Sequence, residues 1–226
     1  MDFANPWPSE YCNEQSGEKF PVVPLQFLEC HDKSRLMYLI SGEHSSYQAG
    51  FDLFNRDKRN WYRLQPFAIA LMTAEGVPLL WQGQEFGEIY GKHDDGGSRV
   101  LAARPLHWNF FYEKNGRTLV NLYRRLGQLR HRFQALRSRQ SYYYHEHSKL
   151  DKGLVAFLRT PDSSDNSPVL VLINFSEHDA SITVPFYAGH WQEQLVRDSE
   201  EVLAIEQTGE YEVFLPANYG KIFTRA

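Results

Sequence analysis

The chain has 226 residues and a net charge of −4, and it is 42% apolar and 15% aromatic. That is material for one large domain or two smaller ones with a packed core. The acidic balance argues against nucleic acid as a partner, because a phosphate-tracking protein shows a basic excess. No apolar run approaches the ~20 residues that span a bilayer, so no membrane partner is expected. The first residues have neither a basic region nor an apolar core of a leader, and the expected location is cytoplasmic.

Residues 1–24 are rich in Pro, Asn, Glu and Gly and read as a loop. Val22 to Leu28 is an apolar run broken by Pro24 and Gln26. It ends in Glu29-Cys30-His31-Asp32, which fits a buried strand with a polar tip. Residues 33–57 show no clear period. From Asn60 to Ala74, Leu64, Phe67, Ala68 and Leu71 fall at helical spacing, and the helix either starts or kinks at Pro66.

Gly76 stops that helix, and Val77 to Trp81 reads as a second short strand with the tip Gln82-Gly83-Gln84-Glu85. The loop beyond it holds His93-Asp94-Asp95, which lacks the alternating acids of a calcium loop and reads as an exposed turn. Residues 117–138 carry the best helical period, through Leu122, Leu126, Leu129, Phe133 and Leu136. Strand, helix, strand, helix predicts a parallel α/β unit. The arginines at 124, 125, 130, 132, 137 and 139 are expected on a solvated face of this helix.

After Arg139 short strands alternate with turns: around Tyr142–Tyr144, Leu154–Arg159, Val169–Phe175, Ser181–Val184, Trp191–Val196, Tyr211–Leu215 and Lys221–Thr224. This pattern predicts an antiparallel β-sandwich. Alternation sends Tyr142 and Tyr144 to one face and Tyr143 to the other, and Trp191 is expected in the core. Cys12 and Cys30 form no paired-ligand motif. Two free thiols is the simpler reading, with a disulfide as the alternative.

Acids and imidazole at the ends of parallel strands are placed where such folds bind ligands. Here the sequence resembles a known family. Phe27-Leu28-Glu29-Cys30-His31-Asp32 is similar to the motif ending the seventh barrel strand of the α-amylase family of glycoside hydrolases and transferases. Gly76 to Glu85, continued by Phe86 and Gly87, is similar to the eighth-strand motif GxPxxxxGxE of that family. The resemblance implies the last two β/α units of a (β/α)₈ barrel in residues 1–139 and a C-terminal β-sandwich in residues 140–226.

It also implies roles. Asp32 would be the transition-state-stabilising aspartate, and His31 would hydrogen-bond the sugar. Gln82 and Glu85 would contact sugar, or else support the barrel rim. An oxocarbenium-like transition state carries positive charge on the ring, which a fixed carboxylate binds better than it binds the ground state. Cys30 departs from the family pattern, which has Asn or Ser there. The nucleophile and general acid lie on the fourth and fifth strands of the family, upstream of the first motif, so this chain alone is expected to be inactive. The expected ligand is an α-glucan or maltooligosaccharide, with no cofactor and no metal. The unpaired barrel edge is expected to self-associate or to bind the missing N-terminal half. The alternative from another class is a non-catalytic glucan-binding or scaffolding module.

Overall fold

The structure, a computed structural model, describes residues 10–40, 58–89, 105–162, 167–196 and 202–225. His93, Asp94 and Asp95 lie outside these residues. The described residues open with a hairpin, β1 (Glu10–Cys12) against β2 (Lys19–Pro21), inside the stretch read as loop. Strand β3 (Leu25–Gln26) leads through a turn into helix α1 (Leu36–Ile40). A 3₁₀ segment (Lys58–Leu64) then runs into α2 (Gln65–Thr73), followed by β4 (Val77–Pro78).

Strands β3 and β4 pair in parallel, as expected, with Leu25 beside Val77 and Gln26 beside Pro78. Each is only two residues long, because Pro24 and Pro78 have no N–H to extend the ladder. Pro66 lies in the first turn of α2, so the helix starts there, and 3₁₀ geometry precedes it. Helix α2 is buried from Ala68 to Thr73.

Helices α3 (Trp108–Tyr112) and α4 (Lys114–Arg132) follow. The period read over 117–138 is interrupted at Phe133, whose extended backbone ends α4 before a 3₁₀ turn over Gln134–Arg137. Leu136 keeps its buried position in that turn.

The rest is antiparallel. Six strands form one sheet in the order β10 (Val202–Ile205), β9 (Gly189–Glu193), β12 (Tyr219–Arg225), β7 (Val169–Asn174), β6 (Leu154–Thr160), β5 (Gln140–Tyr143). Strands β8 (Ala180–Phe186) and β11 (Gly209–Leu215) pair separately, from Ala180 with Leu215 to Phe186 with Gly209. Strand β10 was not anticipated. Strand β9 ends at Glu193, short of the expected Val196, because the Glu193 carboxylate accepts the N–H groups of Leu195 and Val196 and so turns the chain.

The large sheet has a core on each face. One joins Leu154, Ala156, Leu170, Leu172 and Phe223 to Ile182, Val184, Phe186, Val213 and Leu215 of the small sheet. The other joins Phe157, Val169, Val171, Ile173 and Ile222 to α2 and α4. Trp191 is buried and donates its indole N–H to Tyr187 O at 2.8 Å. Tyr142 and Tyr144 lie ring to ring at 5.1 Å, whereas Tyr143 meets Phe157 on the opposite core, as alternation requires.

The arginines depart from a simple solvated face. Arg124 and Arg132 are exposed. Arg125 instead donates to Gln194 O at 2.7 Å, and Arg130 donates to the carbonyls of Met72, Ala74 and Gly76. The carbonyls at the end of α2 lack helical partners and need donors. Arg159, fully buried in β6, donates to Thr73 O and Ser138 O.

Gly220 lets β12 approach β7 and α2 closely. A Cβ there would sit 2.5 Å from Leu172 O and 3.3 Å from Ile69 Cδ1. Gly220→Ala is therefore expected to destabilise the fold by about 1–3 kcal/mol in urea unfolding. Burial, the leading cause in each case, raises the phenol of Tyr144 to about 12 and raises those of Tyr123 and Tyr219 as well. A phenol whose folded value exceeds its unfolded value of 10.0 stabilises fully below that pH and loses the contribution as pH rises. The urea midpoint should accordingly fall between about pH 10 and 12, with tyrosinate absorbance rising together with unfolding.

Candidate active site

The site is built at the ends of β3 and β4. Beyond β3 the chain makes a turn closed by Lys33 N–H donating to Cys30 O at 3.1 Å. Glu29, just before the turn, points inward and is 1% exposed. Its Oε1 accepts from Arg35 Nη1 at 2.8 Å and its Oε2 from Leu36 N–H at 2.6 Å, at the start of α1. Arg35 is equally buried, and its guanidinium lies over the Trp81 ring at 5.6 Å. Burial pushes the Glu29 carboxyl up, against the pull of Arg35 and the Leu36 N–H.

Glu29, expected at the polar tip with His31 and Asp32, is thus withdrawn from the surface. Its ion pair with Arg35 shapes the turn. The reason is local: with Glu29 and Arg35 pointing inward, the residues between them are turned outward. His31 and Asp32 are accessible, with side-chain exposures of 64% and 54%, and their Nε2 and Oδ2 are 3.3 Å apart. Cys30 is half-buried, and neither it nor Cys12 is in a disulfide. The Cys30 thiol and the ligand atoms of His31 and Asp32 lie within 4.8 Å of one another.

The tip of β4 comes up beside this turn. The His31 and Trp81 rings are 6.0 Å apart. After Trp81 the chain turns at Gly83, whose φ of +89° is left-handed; a Cβ there would meet Glu88 Cβ at 2.8 Å. Gln84 is buried and donates to the Tyr123 hydroxyl of α4 at 2.9 Å, anchoring the tip. Glu88 is buried too. It accepts from the N–H groups of Ile89 and His107 and pairs with His107 Nδ1 at 2.8 Å. Met37, Tyr38, Leu64, Phe86, Ile89, Phe110 and Leu119 form one apolar cluster, which joins α1 to the segment after the second tip and to α3 and α4.

Gln82 is exposed and Glu85 half-exposed, both at the rim of the second tip. The structure brings His31 and Asp32 together, with the His31 ring beside Trp81; Gln82 and Glu85 follow Trp81 in the second tip. Sequence reading assigned no site role to Trp81, Arg35 or Glu88. Arg35 sits in a stretch without periodicity, so nothing local marked it as a partner for Glu29. Glu85 and Glu88 share one polar segment, and composition does not say which one turns inward.

The accessible groups are a carboxylate, an imidazole and an indole. Such a set can hydrogen-bond sugar hydroxyls and pack against a ring face. Double displacement at a sugar needs two carboxyl groups about 5–5.5 Å apart, one as nucleophile and one as acid. The turn itself offers one accessible carboxylate, Asp32.

Compared by sequence, the chain matches no protein-family model and no curated protein. Compared by structure, 89% of it superposes on 38% of an Anoxybacillus α-amylase, at 21% identity and a TM-score of 0.60. It likewise covers 27% of a pullulanase complexed with maltotriose from Anoxybacillus sp. LM18-11 (17% identity, TM-score 0.63). It covers 28% of the type III pullulan hydrolase from Thermococcus kodakarensis (26% identity, TM-score 0.56). The fold is that of α-amylase family members. The mixed α/β architecture with antiparallel sheets fits the C-terminal region of those enzymes, and the chain spans less than two fifths of the length of each.

The buried Glu29–Arg35 pair should dominate local stability. Glu29→Leu is expected to cost about 3–5 kcal/mol, because it leaves Arg35 charged and uncompensated. Adding Arg35→Met should restore much of the loss, and a double-mutant cycle in urea measures the coupling.

Proposed function

We propose that this chain is the C-terminal portion of a retaining, α-glucan-active glycoside hydrolase or glucanotransferase. In this reading residues 1–139 are the end of a (β/α)₈ barrel and residues 140–226 the C-terminal sandwich. The single observation that carries it is the convergence of the exposed His31–Asp32 pair with Trp81 at the tips of two parallel strands. Those tips lie where such barrels bind substrate.

Asp32 supplies the negative charge that favours an oxocarbenium-like ring. His31 donates to a hydroxyl of the same sugar, and Trp81 offers it an apolar face. Gln82 and Glu85 contact the sugar from the rim. The nucleophile and the general acid come from strands upstream of the first motif, on the remainder of the barrel. Maltotriose held by the pullulanase that this chain superposes on supports a maltooligosaccharide as the ligand.

The reading also gives the barrel edge a partner. Leu25, Phe27, Val77 and Leu80 are exposed on or beside two strands whose outer edges have no neighbours among the described residues. Such an edge favours pairing. The partner is the N-terminal portion of the barrel or, without it, a second copy; light scattering of the purified chain should show association rising with concentration.

Calorimetric titration with maltotriose tests the site. Asp32→Asn and His31→Ala should each weaken binding about tenfold or more, the effect of losing a hydrogen bond to a charged or polar partner. The purified chain should release no reducing sugar from maltooligosaccharides. Hydrolysis by the chain alone, or binding indifferent to both substitutions, would overturn the proposal.

A further inference from the structure

The turn after β3 carries a chemistry that glucan binding does not use. Cys30, His31 and Asp32 present a thiol sulfur, an imidazole nitrogen and a carboxylate oxygen within 4.8 Å of one another. Zinc binds sulfur at about 2.3 Å and nitrogen or oxygen at about 2.0–2.1 Å, with tetrahedral geometry. Those bond lengths set a nitrogen-to-oxygen edge of about 3.3 Å and a sulfur-to-nitrogen edge of about 3.5 Å. The His31 Nε2 to Asp32 Oδ2 separation is already 3.3 Å. The Cys30 sulfur has a nitrogen of His31 and an oxygen of Asp32 within 4.8 Å, so side-chain rotation rather than backbone movement is what would bring it to bonding distance.

From this geometry we infer that Cys30, His31 and Asp32 form a three-ligand site for a thiophilic divalent cation of the zinc type, with a fourth position open to water. The backbone bond from Lys33 N–H to Cys30 O holds the three residues in one turn, so little chain ordering remains to be done. His31 and Asp32 are more than half exposed, which leaves the ion a direct path. Calcium and magnesium fit poorly: they take several oxygen ligands, and this turn offers one carboxylate beside a thiol. Binding converts the Cys30 thiol to a thiolate, and its proton leaves to solvent.

The site runs against the expectation of no metal, and it has a functional corollary that rests on the proposed glucan reading. The ion would take the same His31 nitrogen and Asp32 oxygen that grip the sugar. Metal and maltooligosaccharide would therefore exclude each other. Cys30 is the residue that makes the difference, since an Asn or Ser at that position offers no thiolate.

Cobalt(II) is the probe, because a cobalt–thiolate bond gives a near-ultraviolet charge-transfer band. The full chain, reduced, is titrated with Co²⁺ and then with Zn²⁺. The expected result is one band, saturating at one ion per chain and bleached by zinc. Cys12→Ser should keep it. Cys30→Ser should abolish it and weaken cobalt binding at least about tenfold, and His31→Gln should weaken binding similarly. His31 is exposed, so the His31→Gln variant remains informative even if Cys30→Ser folds poorly. No band from the folded wild-type chain, or a band retained by Cys30→Ser, overturns the site. In a second arm, zinc should weaken maltotriose binding in the wild type and leave it unchanged in Cys30→Ser. A cobalt band without that competition keeps the metal site and overturns the shared use of His31 and Asp32.

Discussion

Helix α2 has no polar face from Ala68 to Thr73, and a helix apolar all round must be enclosed. That constraint organises the molecule. The large sheet covers one side through Phe157, Val171, Ile173 and Ile222, and α4 covers another through Leu122, Leu126 and Leu129. Enclosure leaves the last carbonyls of α2 away from water, so arginines from two other elements reach in to them. Strand β4 emerges from that clamped end, and its tip inherits a fixed position.

The accessible chemistry at the strand tips rests on groups that are not accessible. Glu29 and Arg35 lock the first turn from inside, Gln84 ties the second tip to α4, and Glu88 gathers two N–H groups and His107. Each withdraws a polar side chain from the surface and gives it at least one internal partner. The groups left accessible include His31, Asp32, Gln82, Glu85 and part of Trp81. A binding site on short strands depends on such internal bonds, because a two-residue ladder supplies little rigidity of its own.

The legible features were those written into local pattern. The helical run of leucines announced α4, short apolar runs between turns announced β6 and β7, and the glycine–proline spacing announced the second tip. The illegible ones depended on partners or backbone geometry that no local pattern marks. Phe133 ends α4 because it adopts extended backbone while the apolar period continues through Leu136. The arginines of α4 looked like a solvated face, since nothing in their spacing reveals unpaired carbonyls on another helix. Glu29 looked like part of an acidic tip; only Arg35, in a stretch without pattern, draws it inside. Composition identified where the polar tips are, and pairing with buried partners, Arg35 for Glu29 and His107 for Glu88, decided which acids turn in.

Arg159 reaches from the sheet to the end of α2 and to Ser138, and α2 shares its core with that sheet. The strand-tip site and the antiparallel sheets are therefore coupled through a common interior. A recombination event that moved the tips into another protein without the sheets would leave α2 uncovered and its terminal carbonyls unpaired. In this chain the strand tips keep their geometry only while the sheet that covers α2 is in place.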